Sequence, residues 1–153
     1  MTEPAIYRHT QVGTTIWLFL IIAFLGSIVA VAFAGIAVML IVAITGLFLF
    51  LIGWILGSLT VAIAGGNLSW WFGPGFWKKR VAIDEIESCE AVRNRWWWGW
   101  GIRYYGKGWL YNVSGLDAVE MTLKTGKSIR IGTDEPEALV AAIRSIPDRK
   151  STG

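Results

Sequence analysis

From Thr10 to Trp77 the chain carries no charged side chain, and within that stretch Ile16 to Leu56 is almost purely Ile, Leu, Val, Ala, Phe, Gly and Trp. A helix needs roughly 20 apolar residues, at about 1.5 Å rise each, to cross the ~30 Å hydrocarbon layer of a bilayer. The run from Ile16 to Leu56 is long enough for two crossings and too long for one, so it predicts a transmembrane helical hairpin. Gly35, between Ala34 and Ile36, lies near its midpoint. That places the turn at about 34–37 and the helices at about 14–33 and 38–57. A re-entrant hairpin entering from one face is the alternative, disfavoured because hydrocarbon offers no partner for loose backbone.

A secretory signal peptide would have an apolar core of about 7 to 15 residues followed by a polar mature chain. Here the apolar run continues far past that length. Arg8 and His9 precede the first helix, and Lys78, Lys79 and Arg80 follow the second. Lys and Arg near spanning segments favour the cytoplasmic side, and two crossings put both flanks on one side. The expected layout is an N-terminal cytoplasmic tail over 1–13, the hairpin over 14–57, a water-facing domain over 58–147 and a tail over 148–153, with both termini cytoplasmic.

The water-facing part is long enough for one small core. Its charges are interspersed in sign, as in Asp84, Glu85, Glu87 and Glu90 followed by Arg93 and Arg95. Nucleic-acid binding calls for a dense basic face, so no nucleic-acid partner is expected. Cys89 is the single cysteine and His9 the single histidine, which excludes intramolecular disulfides and zinc-finger metal sites. Cys89 lies between Glu87 and Glu90, carboxylates that oppose thiolate formation, and reads as structural.

Strand-like runs recur between Gly-rich turns. Leu59 to Ala64, Gly65-Gly66 and Asn67 to Phe72 read as a hairpin. Further strands are expected at Lys79 to Ile83, Ile86 to Arg95, Gly108 to Val113, Ala118 to Lys124 and Ser128 to Gly132. Val119, Met121 and Leu123 alternate with Glu120, Thr122 and Lys124, the pattern of a half-buried strand. Near the end the period changes. Asp134 as cap, Glu137 three residues on, Pro136 in the first turn and Pro147 as stop predict a helix over about 135–146, with Leu139, Val140, Ile143 and Ile146 on one face.

The segments Gly99-Trp100-Gly101-Ile102-Arg103-Tyr104, Tyr111, Gly115, Ala118-Val119, Leu123, Gly126, Ile131-Gly132-Thr133-Asp134 and Pro136 with Leu139 resemble those of small bacterial membrane proteins that carry a pleckstrin-homology-like (PH-like) domain behind a transmembrane hairpin. The resemblance implies a membrane protein with an α+β PH-like domain. That domain would hold about seven antiparallel strands in a partly open barrel plus one C-terminal helix. It implies a fold and a topology more than an activity. Phosphoinositide-binding PH domains carry basic residues around the first hairpin. The corresponding Ala64-Gly65-Gly66-Asn67-Leu68 has none.

Thr125-Gly126-Lys127-Ser128 imitates the end of a P-loop, but Met121 stands where the first glycine is required and the segment joins two strands. Gly99-x-Gly101 opens no helix and lacks the third glycine of a dinucleotide fingerprint. Asn67-Leu68-Ser69 and Asn112-Val113-Ser114 match the glycosylation pattern, which has no role on a cytoplasmic domain. His9 on an N-terminal tail and lysines in turns assemble no nucleophile–base pair. The expectation is no enzyme, no metal and no cofactor.

Tryptophan is the remaining signal. Trp70, Trp71 and Trp77 surround Gly73-Pro74-Gly75 just before Lys78, Lys79 and Arg80, and Arg95-Trp96-Trp97-Trp98-Gly99-Trp100 leads to Arg103. Trp favours the headgroup zone, and Lys or Arg near an anionic leaflet gains roughly 1 kcal/mol each. Trp and Arg are also favoured anchors of protein interfaces. The competing use of these rings is to fill the core. These twelve residues form the expected membrane or partner interface of a non-enzymatic module, an accessory or assembly subunit of an inner-membrane complex that also touches lipid. The alternative is a peripheral lipid-binding module docking on anionic headgroups. Gly26 with Ala30, Ala30 with Ala34, and Gly53 with Gly57 are spaced for close helix packing.

Overall fold

The computed structural model describes residues 5–34 and 38–146. The described residues form an α+β fold with three α-helices and two β-sheets. Strand β1 (Tyr7–Val12) leads into helix α1 (Thr14–Ala34), helix α2 (Met39–Leu56) follows, and β2 (Ser58–Ala64) leaves it. Then come β3 (Asn67–Phe72), β4 (Phe76–Ala82), β5 (Ile86–Arg93), β6 (Gly101–Tyr104), β7 (Gly108–Asn112), β8 (Asp117–Leu123), β9 (Ser128–Gly132) and α3 (Pro136–Arg144). The first sheet has the order β1-β2-β3-β4 and is antiparallel throughout. The second has the order β5-β8-β9-β7-β6.

Two features correct the sequence expectation. Among the described residues strands number nine instead of about seven, and β7 runs parallel to β9. The strands missed are β1 and β6. In β1 the segment Tyr-Arg-His-Thr-Gln-Val has little apolar alternation, and it is held by pairing Tyr7 with Ile63 through to Val12 with Ser58. Residues 7–12 are therefore sheet, not tail. His9 is fixed against the domain, its Nε2 lying 2.6 Å from Asp134 Oδ1 and its Nδ1 3.4 Å from Glu135 Oε2.

The alternation in β2 buries Leu59, Val61 and Ile63, and in β3 Leu68, Trp70 and Phe72. Gly65 and Gly66 join them with φ of 57° and 74°, the doubly left-handed turn that matches strand twist and that glycine reaches without strain. Val119, Met121 and Ile131 of the second sheet complete one core with Leu139 and Ile143 of α3. Glu135 caps α3 without a side-chain hydrogen bond, Pro136 opens it, and the Glu135 amide donates to Thr133 Oγ1 at 3.1 Å. Asp134, predicted as the cap, is engaged by His9 instead. Cys89 is buried in β5, and Arg144 Nη2 donates to its carbonyl at 2.9 Å.

Helices α1 and α2 pack on each other. A β-carbon on Gly46 would meet the Phe24 ring at 2.6 Å, and one on Gly53 the Leu20 side chain at 2.7 Å. Gly26 has no atom within 4 Å of such a position, so it takes no part in this packing. The side chains of Ala30 and Ala34, the turn placed at 34–37 and the tail at 148–153 lie outside the described residues. Away from the seam the pair presents exposed apolar side chains, among them Phe19, Ile22, Leu25, Leu40, Ile44 and Phe48. Met39–Leu56 is the one described helix long and apolar enough to cross a membrane, and the described apolar stretch of α1, Thr14–Val29, is shorter.

Candidate functional site

Strand order decides which loops meet the helices. β2 departs from the end of α2, so the Gly65-Gly66 turn is the far end of the first sheet, and β3 returns until Phe72 faces Leu59. The next turn, Gly73-Pro74-Gly75, therefore lies at the helix base. The Gly73 amide donates to Ser58 O at 3.0 Å, and a β-carbon there, at φ +49°, would fall 2.5 Å from the Trp54 carbonyl oxygen. The second sheet is oriented the same way. β7 runs toward the helices, since a β-carbon on Gly13 would lie 3.2 Å from Val113 O. Gly101 pairs with Asn112, next to that point. The Arg95–Trp100 loop thus arrives at the helix base too, and the Trp100 ring stands 6.4 Å from that of Phe19 in α1.

The twelve predicted interface residues divide. Trp96 is 74% and Trp97 56% exposed, with the Arg95 guanidinium 5.3 Å from the Trp97 ring centre. Trp77 and Trp100 are exposed, as are Lys78, Lys79, Arg80 and Arg103. Trp77 has φ +47° beside a register shift between Trp70 and Phe72, an unusual conformation for a bulky side chain. Trp71 is half-buried on the outer face of the first sheet, with Arg8 5.8 Å and Lys78 5.3 Å from its ring centre. Trp70 is a correction. It is 2% exposed and edge-on to Tyr111 at 5.3 Å, because alternation in β3 points it inward with Leu68 and Phe72.

Trp98 turns away from the rim. Its ring lies 5.4 Å from Tyr105 and 5.0 Å from the Arg130 guanidinium, which is also 4.7 Å from the Tyr105 ring. Arg130 Nη2 donates to Glu120 Oε2 at 2.6 Å, Arg130 Nη1 to Asn94 Oδ1 at 3.2 Å, and Tyr105 OH to Glu120 Oε1 at 2.5 Å. Burial alone would push the Glu120 carboxyl up, but the hydrogen bonds from Tyr105 and Arg130 and the Arg130 charge outweigh it and hold the group below its usual range. Burial and the Glu120 hydrogen bond push the Tyr105 hydroxyl up to about 12. This network ties the tryptophan loop to β8 and β9. The sequence signalled none of it, because Tyr105, Glu120 and Arg130 are scattered along the chain.

Sequence reasoning also missed a cleft of about 640 Å³ on the side of the domain where β4 faces the second sheet. Lys79 and Arg80 of β4 and Lys107 and Lys127 of two turns line it, and Trp70 and Tyr111 belong to its wall. Among the described residues no group of three His, Cys, Asp or Glu stands close enough to hold a metal ion.

Compared with protein families, with curated proteins and with solved structures, the chain matches none.

Proposed function

We propose that this chain is a membrane-anchored, non-enzymatic PH-like interaction module. It acts as an accessory or assembly subunit of a bacterial inner-membrane complex, with both termini and the domain on the cytoplasmic side. The observation that carries this is the convergence of the apolar helix pair, the Gly73-Pro74-Gly75 turn and the Arg95–Trp100 loop at one end of the domain. A helix apolar all round belongs in a core or in lipid, and the large side chains of α2 are exposed. With the helices in a bilayer, Trp77, Trp96, Trp97 and Trp100 fall at headgroup depth, where aromatic and basic residues concentrate.

The pairing of β1 with β2 across the helix pair supports two crossings, since the strand before α1 and the strand after α2 lie side by side. The C-terminal helix packed on β5 and β8 of the second sheet supports the PH-like resemblance. The expected partners are membrane lipids at the rim and integral membrane subunits.

The test is site-specific photo-crosslinking in cells from positions 96 and 97. Crosslinks to a defined integral membrane protein support the subunit reading, whereas crosslinks to phospholipid alone would favour the peripheral lipid-binding alternative. Reporter fusions before Met1 and after Gly153 should both give cytoplasmic signals. Opposite signals would refute the two-span topology.

A further inference from the structure

The cleft between β4 and the second sheet combines one sign of charge with an apolar wall. Four cations line it, Lys79, Arg80, Lys107 and Lys127, all exposed, and among the described residues no carboxylate does. No ion pair among the described residues engages any of the four. The wall includes Ile102, Leu123 and Ile129, half-buried and apolar. Trp70, also in the wall, is the one lining residue with a buried side-chain polar atom, its indole N–H, that has no partner among the described residues. About 640 Å³ is within the range of small-molecule sites.

The charges are not spread evenly. β7 and β9 are parallel with Gly108 level with Ser128, so Lys107 and Lys127, each one residue earlier, enter side by side at the end of the sheet remote from the helices. Ile102 is level with Tyr111, four residues nearer the helices than Lys107 along β7, roughly 13 Å away at strand rise. Trp77, held at φ +47°, lines the same cleft beside the helix-proximal rim. Lys107 and Lys127 thus mark the outer end of the cleft, where Leu123 also lies, Lys79 and Arg80 reach in from the middle of β4, and Ile102 and Trp77 form the apolar wall nearer the helix base.

We propose that this cleft binds one anionic amphiphile, an acyl or alkyl chain bearing a phosphate. The chain lies along Ile102 and Ile129 toward the helix base and the phosphate sits among Lys79, Arg80, Lys107 and Lys127. The site is separate from the Trp96–Trp97 rim and takes a single molecule out of the bilayer plane. It rests on the membrane-anchored reading only for its source of ligand, the adjoining leaflet.

The experiment uses the full chain in phosphatidylcholine nanodiscs, with empty discs as blank and radiolabelled dodecyl phosphate as probe. Failure to enter nanodiscs would be seen before titration and would count against the anchor, not the cleft. The expected result is saturable one-to-one uptake, weakened about tenfold or more by the paired substitutions Lys107→Glu and Lys127→Glu, which fall in exposed turns. Trp96→Ser with Trp97→Ser should leave uptake unchanged. Dodecanol should compete poorly and inorganic phosphate should not compete. Uptake equal in the Lys107→Glu/Lys127→Glu variant and the parent chain would overturn the proposal. So would full competition by inorganic phosphate, or displacement by an acidic peptide at equal concentration, the latter marking strand addition at β4 instead.

Discussion

The amide of Gly13 donates to the carbonyl oxygen of Gly57 at 2.7 Å, joining the residue before the first apolar helix to the residue after the second. Val12 faces Ser58 one step further into the sheet. The helix pair is thus an insertion between two neighbouring strands, and its base cannot open without unzipping β1 from β2.

Space, not φ, demands glycine at position 57. Its φ is −77°, yet a β-carbon would fall 2.1 Å from Gly53 O and 2.6 Å from Trp17 Nε1. Gly57→Val should therefore destabilise the detergent-solubilised chain by about 1–3 kcal/mol, the usual cost of overpacking. Gly26→Ala, with nothing within 4 Å, should leave thermal unfolding unchanged. Equal effects of the two substitutions would contradict this helix packing.

Removing residues 1–12 should damage the domain, because β1 covers β2 and buries Gln11, whose Nε2 donates to Ser114 O at 3.2 Å. Faster amide exchange across Ser58–Ala64 and a lower unfolding temperature are expected. His9→Ala, by contrast, breaks a pair whose Asp134 partner is 60% exposed, and such pairs contribute about 1 kcal/mol or less. A truncated chain as stable as the full one would show that β1 is dispensable.

The tryptophan loop should separate into two functional halves. Trp96→Ser with Trp97→Ser removes exposed rings and should weaken leaflet or partner contact at unchanged unfolding temperature. Trp98→Ser removes the ring packed against both Tyr105 and Arg130 and should cost about 1–3 kcal/mol of stability. Circular dichroism melts read beside vesicle co-sedimentation distinguish them. A stability loss as large for the first pair would place those rings in the core.

The Arg130–Glu120–Tyr105 network predicts a pH dependence at both extremes. Glu120 has a folded pKa below its ordinary 4.5. Its contribution is complete above that value and is lost as pH falls through the lower folded one. Tyr105 is raised from 10.0 to about 12, so its contribution is complete below pH 10 and fades as pH climbs toward 12. Glu120→Gln should flatten the acid limb of the stability profile and, by leaving Arg130 without its charge partner at 11% exposure, cost about 3 kcal/mol or more at neutral pH. Tyr105→Phe should flatten the alkaline limb. An acid limb unchanged in Glu120→Gln would assign it to other carboxylates.

What the sequence determined by itself is what depends on neighbours along the chain. The uncharged run from Thr10 to Trp77 located two apolar helices, two-residue alternation located β2, β3, β8 and β9, and Pro136 with the Leu139 and Ile143 spacing located α3. Composition cannot reveal a strand whose stability comes from its partner. β1 is polar and exists because β2 offers it an edge, while β6 is short and is held by Trp109 to Asn112. Tertiary structure alone decided the fates of three tryptophans that look alike in sequence. Trp70 is drawn into the core by the pleat of β3, Trp98 is held by Arg130, and Trp96 is left in the open. It alone brought Lys79 and Arg80 to the same cleft as Lys107 and Lys127. Juxtaposition of distant residues follows from strand order and register, which pairing across the whole chain sets and no local window contains.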